Sequence, residues 1–217
     1  MKKGAKPNLL WTLLGGVAVA ASYFVWARPK HRQWGATDEE AIRHLPGDDL
    51  LPDASSSATH AITILAPPSE VWLWIAQLGQ GRGGFYSYAL LENAMGMDVH
   101  DAHEVHPEWQ EVKRGDTILF HPKLPGAQVR LLRREKHLVI GSDLDAPDGS
   151  TWAFVLQNVG DGRTRFIVRL RTQDHSGLGR LGDLLIVEPA HFVMERKMML
   201  TIKKLAENRF RASSLAA

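Results

Sequence analysis

The chain has no cysteine, which excludes disulfides and thiolate metal sites. That absence leaves the redox compartment open. A strong charge of either sign is also missing. Its 26 basic and 24 acidic side chains leave a formal +2, too little to imply nucleic acid or a strongly acidic partner. No segment repeats at a fixed period, and low complexity is confined to Ser55–Ser57, so repeat architectures are set aside. Long uncharged apolar runs are scarce too, and the exception lies at the start.

That run is Leu9–Ala27, preceded by Lys2, Lys3 and Lys6 and closed by Arg28, Lys30 and Arg32. At ~1.5 Å per residue it would be about 28 Å long, close to the hydrocarbon thickness of a bilayer. Trp11 sits near one end, and Tyr23 and Trp26 near the other, where aromatic rings favour the headgroup region. Ala18-Val19-Ala20 matches a signal-peptide cleavage pattern, yet the apolar run continues beyond it. The expectation is an uncleaved membrane anchor over residues 1–30, in a single-pass membrane protein. Basic residues flank both ends, so the side of the membrane on which the rest lies is left open. The remaining ~180 residues suit one domain, able to bury about 70% of its unfolded surface.

Residues 31–57 read as a linker and irregular lead-in, with a turn of helix at Asp38–Arg43. Thr59–Leu65 reads as a strand ended by Ala66-Pro67-Pro68. Ser69 is placed to cap a helix through Leu78 whose apolar face is Val71, Trp72, Ile75 and Leu78. Gly79-Gln80-Gly81-Arg82-Gly83-Gly84 follows a helix instead of opening one, which argues against a phosphate-cradling loop. Phe85–Met95 reads as a second helix carrying Tyr86, Tyr88, Glu92 and Asn93. Its tyrosines could pack at a rim or line a ligand site. Asp98, His100, Asp101, His103, Glu104 and His106 could ligate a borderline metal, but their spacing fits no regular site. A solvated loop is expected there, and no metal or cofactor is assigned.

Strands follow at Asp116–His121, Gln128–Arg134, His137–Gly141, Ser150–Asn158 and Arg163–Thr172. In the last pair Trp152, Phe154 and Leu156 form one face, continued after Gly160-Asp161-Gly162 by Phe166, Val168 and Leu170. Successive strands without intervening helices imply an antiparallel sheet. A long helix at Pro189–Phe210 ends the fold. Phe192, Met194, Met198, Met199, Ile202, Leu205 and Ala206 share one arc, and His191 and Glu195 interrupt it one turn apart. A buried carboxylate beside methionines must be paired or face a cavity. Glu188 and His191 have half of a di-iron spacing, with no second copy to complete it.

The order strand, two helices, antiparallel strands and long final helix resembles the helix-grip fold of the START-like superfamily, which includes the birch-pollen allergen and polyketide cyclase/dehydrase-like proteins. The resemblance rests on Ile62–Trp72, on Gln77-Leu78-Gly79 through Leu91-Glu92-Asn93, and on Glu188–Lys197, and it covers about Ala58–Arg209. It implies an α+β domain over 58–217, with a curved sheet around the last helix and an apolar cavity between them. Such a cavity would take a lipophilic small molecule. The residues expected to line it are Tyr86, Tyr88, Glu92, Trp152, Phe154, His191, Met194, Glu195 and Met198. The expected function is a membrane-tethered binding or carrier protein. The alternatives are a cyclase-, dehydratase- or isomerase-type enzyme using His191 and Glu195 as acid and base, and a protein-interaction module. Glu195 could instead pair with Arg169 or Arg171 of the last strand and fix helix to sheet.

Overall fold

The computed structural model describes residues 22–146, 148–173 and 182–215. Most of the expected anchor, residues 1–21, lies outside them. Among the described residues no helix is long and apolar enough to cross a membrane. A π-helical turn, Tyr23–Ala27, runs into α1 (Arg28–Arg32), and α2 (Asp38–Ile42) follows. Thr37 and Glu40 close a capping box at the start of α2, each side chain accepting the other's backbone N–H.

Six strands form one antiparallel sheet in the order β1-β6-β5-β4-β3-β2. They are β1 (Ser56–Ile64), β2 (Thr117–Ile118), β3 (Ala127–Arg133), β4 (His137–Gly141), β5 (Ser150–Asn158) and β6 (Thr164–Thr172). Between β1 and β2 lie α3 (Pro68–Ala76) and α4 (Ala89–Ala94). After β6 a π-helical turn, Asp183–Val187, leads into α5 (Glu188–Leu215). This is the antiparallel sheet and long final helix expected of a helix-grip arrangement. β1 closes onto β6 in register from Ser56↔Thr172 to Ile64↔Thr164, which brings the first strand beside the last.

Side-chain alternation divides the sheet into two faces. Ile64, Phe154, Leu156, Phe166 and Val168 face inward with Leu138 and Ile140, and Met198, Met199, Ile202 and Ala206 of α5 complete that core with α3. Ala61, Val139, Ala153, Val155 and Ile167 face outward into a smaller core with Leu45. The segment read from sequence as a lead-in covers this outer face. Gly35 touches β1 so closely that a Cβ there would lie 2.2 Å from the Ala61 carbonyl oxygen, and its φ of +70° is one that glycine adopts freely.

Several boundaries differ from the sequence reading for local reasons. Ser69 does not cap α3: Pro67 holds the cap position and Pro68 starts the helix, where a missing N–H costs nothing. The expected helix at Phe85–Met95 is reduced to α4, because Tyr86 has a left-handed φ of +56° and its N–H donates to Asp101 Oδ1 at 2.6 Å. β2 is two residues instead of six, since the Leu119 carbonyl turns to accept from Gln80 N at 2.8 Å. α5 extends past Phe210 to Leu215.

Candidate functional site

Glu195 lies mid-helix on the inward arc of α5 and is 2% exposed. Three donors surround it. Trp152 Nε1 of β5 donates to Oε2 at 2.7 Å, His191 Nε2 lies 2.9 Å from the same oxygen, and His60 Nδ1 of β1 lies 2.5 Å from Oε1. The expected pairing with Arg169 or Arg171 does not occur. Both arginines have odd numbers in β6 and point outward with Ile167, on the opposite side of the sheet from α5. Arg169 meets Asp48 there at 2.6 Å.

His60 is the partner that sequence reasoning overlooked. Its number shares parity with Ile62 and Ile64, so strand alternation alone places it on the inner face. Its other nitrogen, Nε2, lies 2.7 Å from the His31 carbonyl oxygen, which can only accept. Nε2 therefore carries a proton, and the Nδ1–Glu195 contact holds one more, shared between imidazole and carboxyl. Burial by itself would push the Glu195 carboxyl up. The hydrogen bonds from His191 and His60 outweigh that and bring it down to about 2, so the carboxyl side of that contact is held ionised.

A cavity of about 420 Å³ opens between α5 and the inner face of the sheet. Phe85, Phe120, Ile140, Trp152, Met194 and Met198 provide apolar wall, while Glu92, His191 and Glu195 are its ionisable groups. Of the nine residues expected to line a site, the structure brings six together here: Glu92, Trp152, His191, Met194, Glu195 and Met198. The other three lie elsewhere. Tyr86 is buried with its hydroxyl accepting from Gln77 Nε2 at 2.7 Å, and burial raises its phenol, leaving it a neutral packing group. Phe154 lies in the core beneath Trp152, with ring centroids 4.7 Å apart. Tyr88, at the start of α4, is exposed. Sequence reasoning missed Phe85 and Phe120, whose rings stack at 5.2 Å on the cavity wall.

A second cavity of about 270 Å³ lies between α1, the start of α5 and the ends of β1 and β6. Ser150, Leu170, Thr172 and His191 border both cavities, so His191 stands in their shared wall. Beside it, Glu188 joins the two helix starts. Its carboxylate accepts from Arg28 Nη2 at 2.9 Å and meets His31 Nε2 at 2.7 Å. Burial opposes ionisation of Glu188, but those two partners outweigh it and keep the carboxyl low. Nearby, Val25, Trp26, Leu185 and Ile186 are exposed, Trp26 by 68% and Ile186 by 70%. In the histidine-rich loop, Asp101 holds the turn at Tyr86. Among the described residues no group of His, Asp or Glu side chains converges as a metal site.

No protein-family model matches the chain, and no curated protein matches it. Among solved structures it is similar to protein MLL2253 from Mesorhizobium loti, at 14% identity and a TM-score of 0.41 over 70% of this chain and 98% of that one. Norcoclaurine synthase from Thalictrum flavum is 14% identical at a TM-score of 0.40, over 75% of this chain and 93% of the enzyme. CalU16 from Micromonospora echinospora is 14% identical at 0.35, over 72% and 86%. Likeness this distant says nothing about ligand or activity. The fold description rests on the strand order and register given above.

Proposed function

We propose that the chain is a membrane-tethered protein that binds or carries a lipophilic small molecule between the sheet and α5. The observation that carries this reading is the 420 Å³ cavity, walled by aromatic and methionine side chains with its ionisable groups confined to a few positions. Methionines such as Met194 and Met198 can adapt to ligands of different shape. Tethering would come from Leu9–Ala27, and the exposed Val25, Trp26, Leu185 and Ile186 are the side chains a bilayer surface would cover. The full chain should stay with membranes through a high-salt wash, because apolar insertion is not screened by ions. Release by salt alone would sink the tether. Native mass spectrometry of the purified full chain should show a co-purified small molecule that Met194→Trp displaces. A wild-type spectrum with no bound mass would count against the carrier reading.

One observation favours an enzyme as second reading. His191 donates through Nε2 to an ionised carboxylate, an arrangement that orients the ring and leaves Nδ1 able to take a proton. In a cyclase, dehydratase or isomerase type of reaction, His191 would act as base and Glu195 would hold it in place. His191→Gln should then abolish turnover while ligand retention survives.

A further inference from the structure

Among the described residues, Glu92 is the carboxyl that the fold leaves without a partner on both oxygens. It is 1% exposed, on α4, and it lines the main cavity. Neither of its carboxyl oxygens has a hydrogen-bond partner among the described residues. Glu70 also has a buried oxygen without a hydrogen bond, but Arg209 Nε lies 3.1 Å from it, and the other, more deeply buried carboxyls have donors. Glu195 has three, and Glu40 takes both Arg165 and the Thr37 N–H. Buried acceptors left open on both oxygens are rare and costly, and call for a partner from outside the fold.

The cavity shows what that partner must bring. Trp152 Nε1–H and His191 Nε2–H are committed to Glu195, and the Ser87 hydroxyl donates to the Met194 carbonyl at 3.1 Å. These donors are spent, whereas the oxygens of Glu92 are open. We infer that Glu92 forms a subsite for the cationic amine of a lipophilic ligand. This rests on the reading of the cavity as a ligand site and names the ligand's class. An ammonium offers up to three N–H donors to two oxygens and brings the opposite charge. A single hydroxyl would leave one oxygen open, and an acid would face Glu92 and the neighbouring Asp101. Apolar wall from Phe85, Met194 and Met198 would hold the rest of the molecule.

The ionisation of Glu92 fits such a subsite. Burial first, and the negative field of Asp101 second, push its carboxyl up to about 7. Asp101, raised by its own burial, is partly offset by His103 and by Lys197 of α5. An alkylamine stays charged throughout the neutral range. Its binding should therefore strengthen as pH rises and Glu92 ionises.

The test is calorimetric titration of the full chain in lipid nanodiscs, with empty nanodiscs subtracted, using octylamine, octanol and octanoate. At about pH 8 octylamine should bind roughly tenfold or more tightly than octanol, with octanoate weakest, and the gap should narrow at about pH 6. Glu92→Gln should bring the amine to the level of the alcohol while leaving alcohol binding in place. Equal binding of amine and alcohol to the wild type would overturn the amine subsite and leave the cavity reading standing. An amine preference retained by Glu92→Gln would overturn it too. Binding of none of the three would remove the ligand reading of the cavity and this inference with it. Should the variant fail to fold, the pH dependence in the wild type decides: an amine preference that does not grow from about pH 6 to about pH 8 overturns the subsite.

Discussion

The two faces of the sheet solve the problem of buried charge in opposite ways. On the outer face, Arg169 has all of its donors placed: Asp48 at 2.6 Å, Thr59 at 2.9 Å, and the carbonyls of Glu40, Ala41 and Arg43 at 2.6, 2.9 and 2.9 Å. Arg165 meets Glu40 through two bonds of 2.7 Å, and Arg171 donates to the Leu51 carbonyl. The arginines of β6 on that face are thereby committed to the lead-in, while Arg43 of the lead-in keeps Nε and Nη2 buried without a partner among the described residues. On the inner face one carboxylate, Glu195, is saturated and another, Glu92, is open, and both border the same cavity. Saturation serves to hold the lead-in segment down. Incomplete saturation is what a binding site needs before its ligand arrives.

The contrast is broken most severely on the outer face. Arg169→Ala takes the guanidinium from Asp48, Thr59 and three backbone carbonyls at once, leaving Asp48 the Leu45 N–H, and the expected loss is about 3–5 kcal/mol. A denaturant melt measures it. A loss below about 1 kcal/mol would mean that the lead-in is not fastened by this arginine. Glu195→Gln should cost somewhat less, about 2–4 kcal/mol, because Trp152 and His191 can still donate to the amide oxygen while His60 Nδ1 loses the carboxylate oxygen it faces. The Glu195 carboxyl is held low, so its contribution is present above the ordinary carboxylate value of 4.5 and is lost as pH falls toward about 2. The gap between wild type and Glu195→Gln should close over that acid range. A gap independent of pH would mean that the donors around Glu195 do not hold it ionised.

The boundary between anchor and domain gives a smaller effect. His60 Nε2 reaches the His31 carbonyl, and Glu188 holds Arg28 and His31, so α1 belongs energetically to the inner face. Removing residues 1–21 should leave stability unchanged. Removing residues 1–32 should cost about 1–2 kcal/mol, the cost of orphaning buried polar groups. Equal melts for the two shortened chains would show that α1 is only an attachment.

Much of this arrangement can be read from the residues. Alternation in β5 and β6 and the arc of α5 fix which side chains meet, and His191, Glu195, Met194 and Met198 do border one cavity. The same alternation also carries the correction, since parity assigns Arg169 and Arg171 to the outer face and the overlooked His60 to the inner one. Tyr86 could not be placed this way. Its position depends on a left-handed backbone turn held by Asp101, fifteen residues on, and local periodicity carries no trace of so distant a contact. The lead-in was equally opaque. Its hold on the sheet comes from backbone carbonyls at Glu40, Ala41, Arg43 and Leu51, and a carbonyl looks the same in every residue type.

The smallest expected effect concerns the open carboxyl, and its sign differs from the others. The folded-state value for Glu92 is raised, to about 7 from an ordinary 4.5. A raised carboxyl means that the native state holds its proton more tightly than the unfolded chain does. Its contribution is therefore fully present below pH 4.5 and is lost as pH rises through about 7. Above that range the native state carries an ionised, unpartnered carboxylate beside Asp101. Glu92→Gln removes that charge without changing the shape of the side chain. The ligand-free variant should match wild type near the lower value and exceed it by about 1 kcal/mol at alkaline pH, discounted from the full shift for screening by water in the cavity. Melts across the range decide. A variant less stable than wild type at alkaline pH would mean that Glu92 has a donor in the folded chain after all. The carboxyls of the inner face would then be as fully partnered as the β6 arginines of the outer one, and the contrast between them would fail.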